Sequence, residues 1–123
     1  MASTFAVLAV TALGAAALAS VATGISHYKS TVTLGATLVG GKVSSPKAAC
    51  VAGRKVAVRY TDARGKTFVF GRATTSSTGS YRITPGGTPG RLPFKFRAYV
   101  GALATHRYIC DGDASNPRLI SGG

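Results

Sequence analysis

Oxygen-rich chemistry is the first possibility that this chain raises, at Asp111-Gly112-Asp113-Ala114-Ser115-Asn116, which opens like a calcium loop. Such a loop needs glycine at its sixth position for the turn and a bidentate glutamate at its twelfth. Here those positions hold Asn116 and Gly122, so the stretch is expected to be a solvated tail. Acyl-transfer chemistry needs a nucleophile, a base and an orienting carboxylate. Ser115 or Ser121 with His106 and Asp111 would supply the residue types, but no Gly-x-Ser-x-Gly elbow positions either serine. Glycoside cleavage needs two carboxylates held at a set separation. The chain has only Asp62, in a turn, and Asp111 and Asp113, two apart beside a cysteine. His27 and His106 are too few for a zinc site, and Asn116, the single asparagine, is poorly placed for a Lys–Asn isopeptide bond. The chain is therefore expected to be non-enzymatic and to need no metal or cofactor.

Two residue classes remain with work to do. Cys50 and Cys110 are the only cysteines and are expected to form a disulfide. The 15 Lys and Arg against three Asp give a net charge of +12, and nine of the cations are arginine. A charge of this size attracts polyanions such as acidic cell-envelope polymers, nucleic acid or lipid head groups, without choosing among them. The candidate anion-binding residues are Lys55 and Arg59 on one strand face, Lys95 and Arg97 beside Tyr99 on another, and the outward Arg82 and Arg107. Against this stands a simpler use of the same residues, since outward strand positions must be polar and cations there discourage edge pairing.

The elements that carry these residues show a period of two, the strand signature. Thr31 to Val39 alternates Val32, Leu34, Ala36 and Leu38 with polar or small residues, and Gly40-Gly41 is expected to weaken or end that strand. Lys55 to Tyr60 sets Val56, Val58 and Tyr60 inward, and Thr67 to Arg72 sets Phe68 and Phe70 inward. Tyr81 and Ile83 share the face of a short strand, while Phe94, Phe96, Ala98 and Val100 mark the clearest one. Tyr108 and Cys110 share the face of the last. Short strands with one apolar face each must close on one another, so the expected fold is all-β, a two-sheet Greek-key β-sandwich, transthyretin-like or Ig-like, preceded by an N-terminal apolar helix. The expected division is a leader at 1–22, a linker at 23–29, the sandwich at 30–112 and a flexible tail at 113–123.

Three stretches carry a family resemblance. They are Cys50-Val51-Ala52-Gly53-Arg54-Lys55-Val56-Ala57-Val58, then Ala73 to Ile83, then Phe96-Arg97-Ala98-Tyr99-Val100 with Cys110. Together they resemble the transthyretin-like, carboxypeptidase-regulatory-like sandwich domains of secreted bacterial proteins, which pair a C-x-x-G-R-x-V strand start with a T-D-x-x-G-x-aromatic hairpin. Ser76 stands where that hairpin usually has aspartate, so the turn is expected to rest on Gly79 with a weaker side-chain cap. The resemblance covers residues 30 to 112 and implies a structural, adhesive or spacer module, with no catalytic residue to carry over.

Location is addressed by the N-terminal segment. Residues Phe5 to Ala22 are apolar and alanine-rich, no charged side chain precedes His27, and the first cation is Lys29. This is the pattern of a cleaved export signal, with small-x-small sites at Ala17-Leu18-Ala19 and Ser20-Val21-Ala22, although a positive n-region is missing. The same run would serve as an uncleaved membrane anchor or filament-core helix, or as a buried soluble helix. Export agrees with a cysteine pair held as a disulfide. The expected protein is a secreted or cell-envelope module whose membrane contact, if any, runs through this segment.

Overall fold

A computed structural model describes residues 25–121. The expected leader, its cleavage sites and the apolar helix lie outside the described residues. Among the described residues eleven strands run in chain order. They are β1 Ser26–Tyr28, β2 Thr31–Val32, β3 Gly40–Ser44, β4 Lys55–Thr61, β5 Thr67–Thr74, β6 Ser80–Arg82, β7 Phe94–Val100, β8 Leu103–Ala104, β9 Tyr108–Cys110, β10 Asp113–Ala114 and β11 Arg118–Ile120. The one helical turn among the described residues is a 3-10 turn at Ala48–Cys50. The largest sheet has the order β10-β7-β4-β5, with β11 also on β7; a second is β2-β3-β6 and a third β1-β9-β8. One buried apolar cluster draws Val32 and Val43 from the second sheet, with Leu34, Tyr81 and Ile83, against Val56, Val58, Tyr60, Phe94, Phe96, Ala98 and Val100 from the first. The fold is thus all-β, of several sheets, with a core shared between the first and the second as in a β-sandwich.

Tyr60 stands at the centre of that core. Its ring centroid lies 4.8 Å from Phe94, 5.0 Å from Phe96 and 5.2 Å from Phe68. Its hydroxyl donates to the carbonyl of Pro89 at 2.8 Å, so the buried phenol is satisfied. The alternation expected for Lys55–Tyr60 and Phe94–Val100 is what the structure shows, because two flanking strands cover β4 and leave each residue only two faces to choose from.

Three expectations are corrected. Gly40-Gly41 does not end a strand but begins β3, and the strand starting at Thr31 is short because the chain turns back between Gly35 and Gly40. Gly41 lies across from Tyr81, whose hydroxyl donates to the carbonyl of Thr33 at 2.6 Å and fills the space a side chain would need. The segment 23–29 is not only a linker, since β1 pairs in parallel with β9, Tyr28 opposite Cys110.

The described part of the segment 113–123, up to Ser121, is likewise not a free tail. Its strands β10 and β11 complete the open edge of β7. The segment lacks apolar alternation, and Pro117 has no N–H for a ladder. Buried Ser115 bridges the interruption: its N–H donates to the carbonyl of Ala98 at 2.8 Å while its hydroxyl accepts from the N–H of Ala98 at 2.9 Å. Arg118 then donates from Nε to the carbonyl of Leu34 at 3.1 Å, tying this edge to the opposite sheet.

Cys50 and Cys110 form the expected disulfide, with Cα atoms 5.5 Å apart. Beside it the Arg54 guanidinium is buried, at 1% exposure. Nη1 donates to Ser30 Oγ at 2.9 Å and to the carbonyl of Cys50 at 2.6 Å, and Nη2 to the carbonyls of Gly101 at 2.7 Å and Asp111 at 3.2 Å. Burial lowers its pKa from the ordinary arginine value. Neutral acceptors, not a carboxylate, hold this charge, and they come from the residue before β2, the 3-10 turn, and the residues just past β7 and β9. The turn before β6 rests on Gly79 as expected, at φ +88° with Ser76 Oγ accepting from the N–H of Thr78 at 3.3 Å, but it is not a hairpin, because β5 and β6 belong to different sheets.

Candidate anion-binding site

The face of the large sheet turned away from the core collects cations from three strands. From β4 it takes Lys55, Ala57, Arg59 and Thr61, and from β7 Lys95, Arg97 and Tyr99. The antiparallel register sets Ala57 beside Tyr99, Arg59 beside Arg97 and Thr61 beside Lys95. Four of the six expected anion-binding residues, Lys55, Arg59, Lys95 and Arg97, are therefore on one surface. Arg82 is exposed on β6 in the second sheet, and Arg107 lies in the exposed turn before β9. Neither belongs to this face.

A fifth cation, Arg72, joins from β5, opposite Ala57. Strict alternation from Phe68 and Phe70 places Arg72 inward with them. A β-bulge overturns that: Val58 pairs with Gly71 and Arg59 with Val69, which leaves Phe70 unpaired. Each such extra residue shifts all later side chains to the other face. Gly71 permits the bulge, because a Cβ there would lie 2.7 Å from Ile83 Cδ1 and 2.9 Å from the carbonyl of Thr84. The glycine in an otherwise apolar strand was the one sequence signal that could have revealed it.

Ala57 forms the floor of a shallow groove of about 600 Å³, lined by Lys55, Arg59, Arg72, Tyr99 and Ala114. The guanidinium of Arg59 lies over the Tyr99 ring, 5.1 Å from its centroid. This contact restrains a long side chain before any ligand arrives, which lowers the entropic cost of binding. Directly opposite, Arg97 brings a like charge, an arrangement unfavourable by roughly 0.2–1 kcal/mol on a sheet surface.

Among the described residues none of these cations is in an ion pair, although Asp113 lines the edge of the groove. Asp113 Oδ2 accepts from the N–H of Val32 at 2.9 Å, and Asp111 accepts from His27 Nδ1 at 2.9 Å. Asp62, its side chain fully buried, accepts from the amides of Arg64, Lys66 and Arg91 and from Arg64 Nε. Burial alone would raise the Asp62 carboxyl, but the amides of Arg91 and Lys66 and the two Arg64 donors hold it at about 2. Its folded pKa lies below the ordinary value, so the ionised form stabilises the fold above about pH 4. That contribution is expected to disappear as pH falls from about 4 towards 2. Urea titrations across this range should show a falling midpoint, and Asp62→Asn should remove this part of the acid dependence. An unchanged acid profile in that variant would mean that Asp62 does not control it.

The groups considered for catalysis are apart. Ser115 Oγ is bonded to the backbone of Ala98 and Asn116, and Asp111 engages His27 instead of His106. Among the described residues, no three His, Cys, Asp or Glu side chains gather where a metal ion would sit. One cluster had no sequence signal. Lys47 Nζ lies 5.2 Å and 4.9 Å from the ring centroids of Tyr28 and Tyr108, which the parallel pairing of β1 with β9 brings together.

Comparison with protein-family models, with curated proteins and with solved structures finds no match for this chain.

Proposed function

We propose that this chain is an exported, disulfide-stapled β-sandwich of Greek-key, transthyretin-like type. It acts as a non-enzymatic binding module at the cell envelope or outside the cell, and holds an acidic polymer on the outer face of its large sheet. One observation carries the reading: Lys55, Arg59, Arg72, Lys95 and Arg97 share a face, and among the described residues none of them is in an ion pair. Two arginines set side by side against their mutual repulsion are best satisfied by a shared anion. A disulfide persists in oxidising compartments, which supports export together with the apolar leader. The resemblance is supported by what two of its motif residues do here, Arg54 at the disulfide and Gly79 in the turn before β6.

The test separates a dedicated face from net charge. Retention on an immobilised acidic polymer should be strong at low ionic strength and fall steeply toward physiological salt. Arg59→Ser with Arg97→Ser should weaken binding about thirtyfold, at roughly 1 kcal/mol per cation near an anionic surface. Arg82→Ser with Arg107→Ser removes the same charge from elsewhere and should have a much smaller effect. Equal losses in the two double variants would reject the face, and no retention at low salt would reject polymer binding altogether.

A further inference from the structure

Resting on that reading, we infer that the ligand is a flexible phosphodiester chain without nucleobases, of the polyol-phosphate kind, lying along a bent path of cations on the sheet. The path runs from Lys55 to Arg72 on the neighbouring strand, back to Arg59, across to Arg97 and on to Lys95. Adjacent strands lie about 4.8 Å apart and alternate residues about 6.8 Å apart, so successive cations are separated by roughly 5–8 Å of backbone. A polymer with one charge per short, narrow repeat can place an anion against each of them. One whose charges are separated by broad rings would bypass some.

The path turns at Arg72 and again between Arg59 and Arg97. A stiff duplex, with a persistence length of about 150 base pairs, cannot follow such turns, whereas a single flexible chain can. At the centre, Arg59 and Arg97 occupy directly paired positions on neighbouring strands, and a diester with two non-bridging oxygens can accept from both.

Bases, by contrast, would find no platform. Proteins that hold single-stranded nucleic acid draw much of their affinity from aromatic rings on which bases stack. Tyr99 is the one aromatic residue lining this groove, and Arg59 already lies over its ring. Phe94 and Phe96 of β7 are buried, and Phe68 and Phe70 of β5 pack against the core. Recognition on this face is therefore of the phosphate chain alone.

The experiment measures binding of the purified, oxidised protein to polyglycerol phosphate, oligothymidylate and duplex DNA at matched phosphate concentration and chain length. Polyglycerol phosphate is expected to bind at least as tightly as oligothymidylate and more tightly than the duplex. With five contacts at about 0.7 each, its affinity should fall about a hundredfold between 50 and 200 mM salt. Arg59→Ser with Arg97→Ser should lower the logarithmic salt slope by about 1.4. Tenfold tighter binding of oligothymidylate or of the duplex would overturn the inference and leave the acidic-polymer reading standing. Absence of binding to all three, or binding indifferent to the Arg59 and Arg97 substitutions, would overturn both.

Discussion

Arg54→Ala is expected to lower the unfolding free energy by about 4 kcal/mol, because it strands buried acceptors that cost roughly 1–3 kcal/mol each when left unpaired. The four acceptors are Ser30 Oγ and the carbonyls of Cys50, Gly101 and Asp111, and the two closest are Cys50 and Gly101. A fold of this size is stable by only about 5–15 kcal/mol, so the loss is a large part of the whole. Arg54→Lys should fall between parent and alanine variant, since an ammonium keeps the charge but lacks the planar fork that reaches both β7 and β9. Urea unfolding tests this directly: the midpoint should drop with little change in slope. A midpoint unchanged in Arg54→Ala would show that water replaces the guanidinium at no cost, and the knot would lose its structural role. Lys55 is the next residue, so the alanine variant should also weaken polymer binding before global unfolding occurs.

Breaking the disulfide is expected to have an effect of the same size. Cys50 and Cys110 are separated by 60 residues, and closing a loop of that length reduces the entropy of the unfolded chain by an amount worth about 4 kcal/mol. Thermal unfolding of Cys50→Ser with Cys110→Ser should occur roughly 20 °C below the oxidised parent. Reduction of the parent should produce a similar fall, because both thiols are fully buried and the same loop is released. The two largest effects should also be coupled. Arg54 holds the carbonyls of Cys50 and of Asp111, the neighbour of Cys110, so each feature keeps the acceptors of the other in place. Combining Arg54→Ala with the serine pair should cost less than the sum of the two, by about 0.5–3 kcal/mol. Strict additivity would mean that bridge and guanidinium act independently.

Much of the core was legible in the order of residues. Val56, Val58 and Tyr60, and Phe94, Phe96, Ala98 and Val100, alternate because each strand has two faces and one of them meets the opposite sheet. The cysteine pair and the Gly79 turn were legible for similar reasons, since a disulfide needs only two suitable residues and a left-handed φ favours glycine. The edges were not legible. The stretch from Asp111 onward has the composition of a loop, yet β7 presents unpaired backbone groups that the segment satisfies through Ser115 and two short ladders. Demand from a neighbouring strand outweighed local preference there. Ser26–Tyr28 was missed in the same way, since its pairing with β9 depends on a partner over 80 positions distant.

The candidate site divides along the same line. Read as a string, the chain specifies an excess of cations over carboxylates, the strands that carry them and the outward side of each, because charge count and side-chain alternation are local properties. It leaves open which strands lie side by side and where a ladder slips by one residue, because these depend on contacts between segments far apart in the chain. Assembly of the sheet put β4 between β5 and β7, set Arg59 against Arg97, sent Arg82 and Arg107 to other surfaces, and used the bulge at Phe70 and Gly71 to turn Arg72 outward. Net charge is a sum over residues, whereas a binding face is a matter of register.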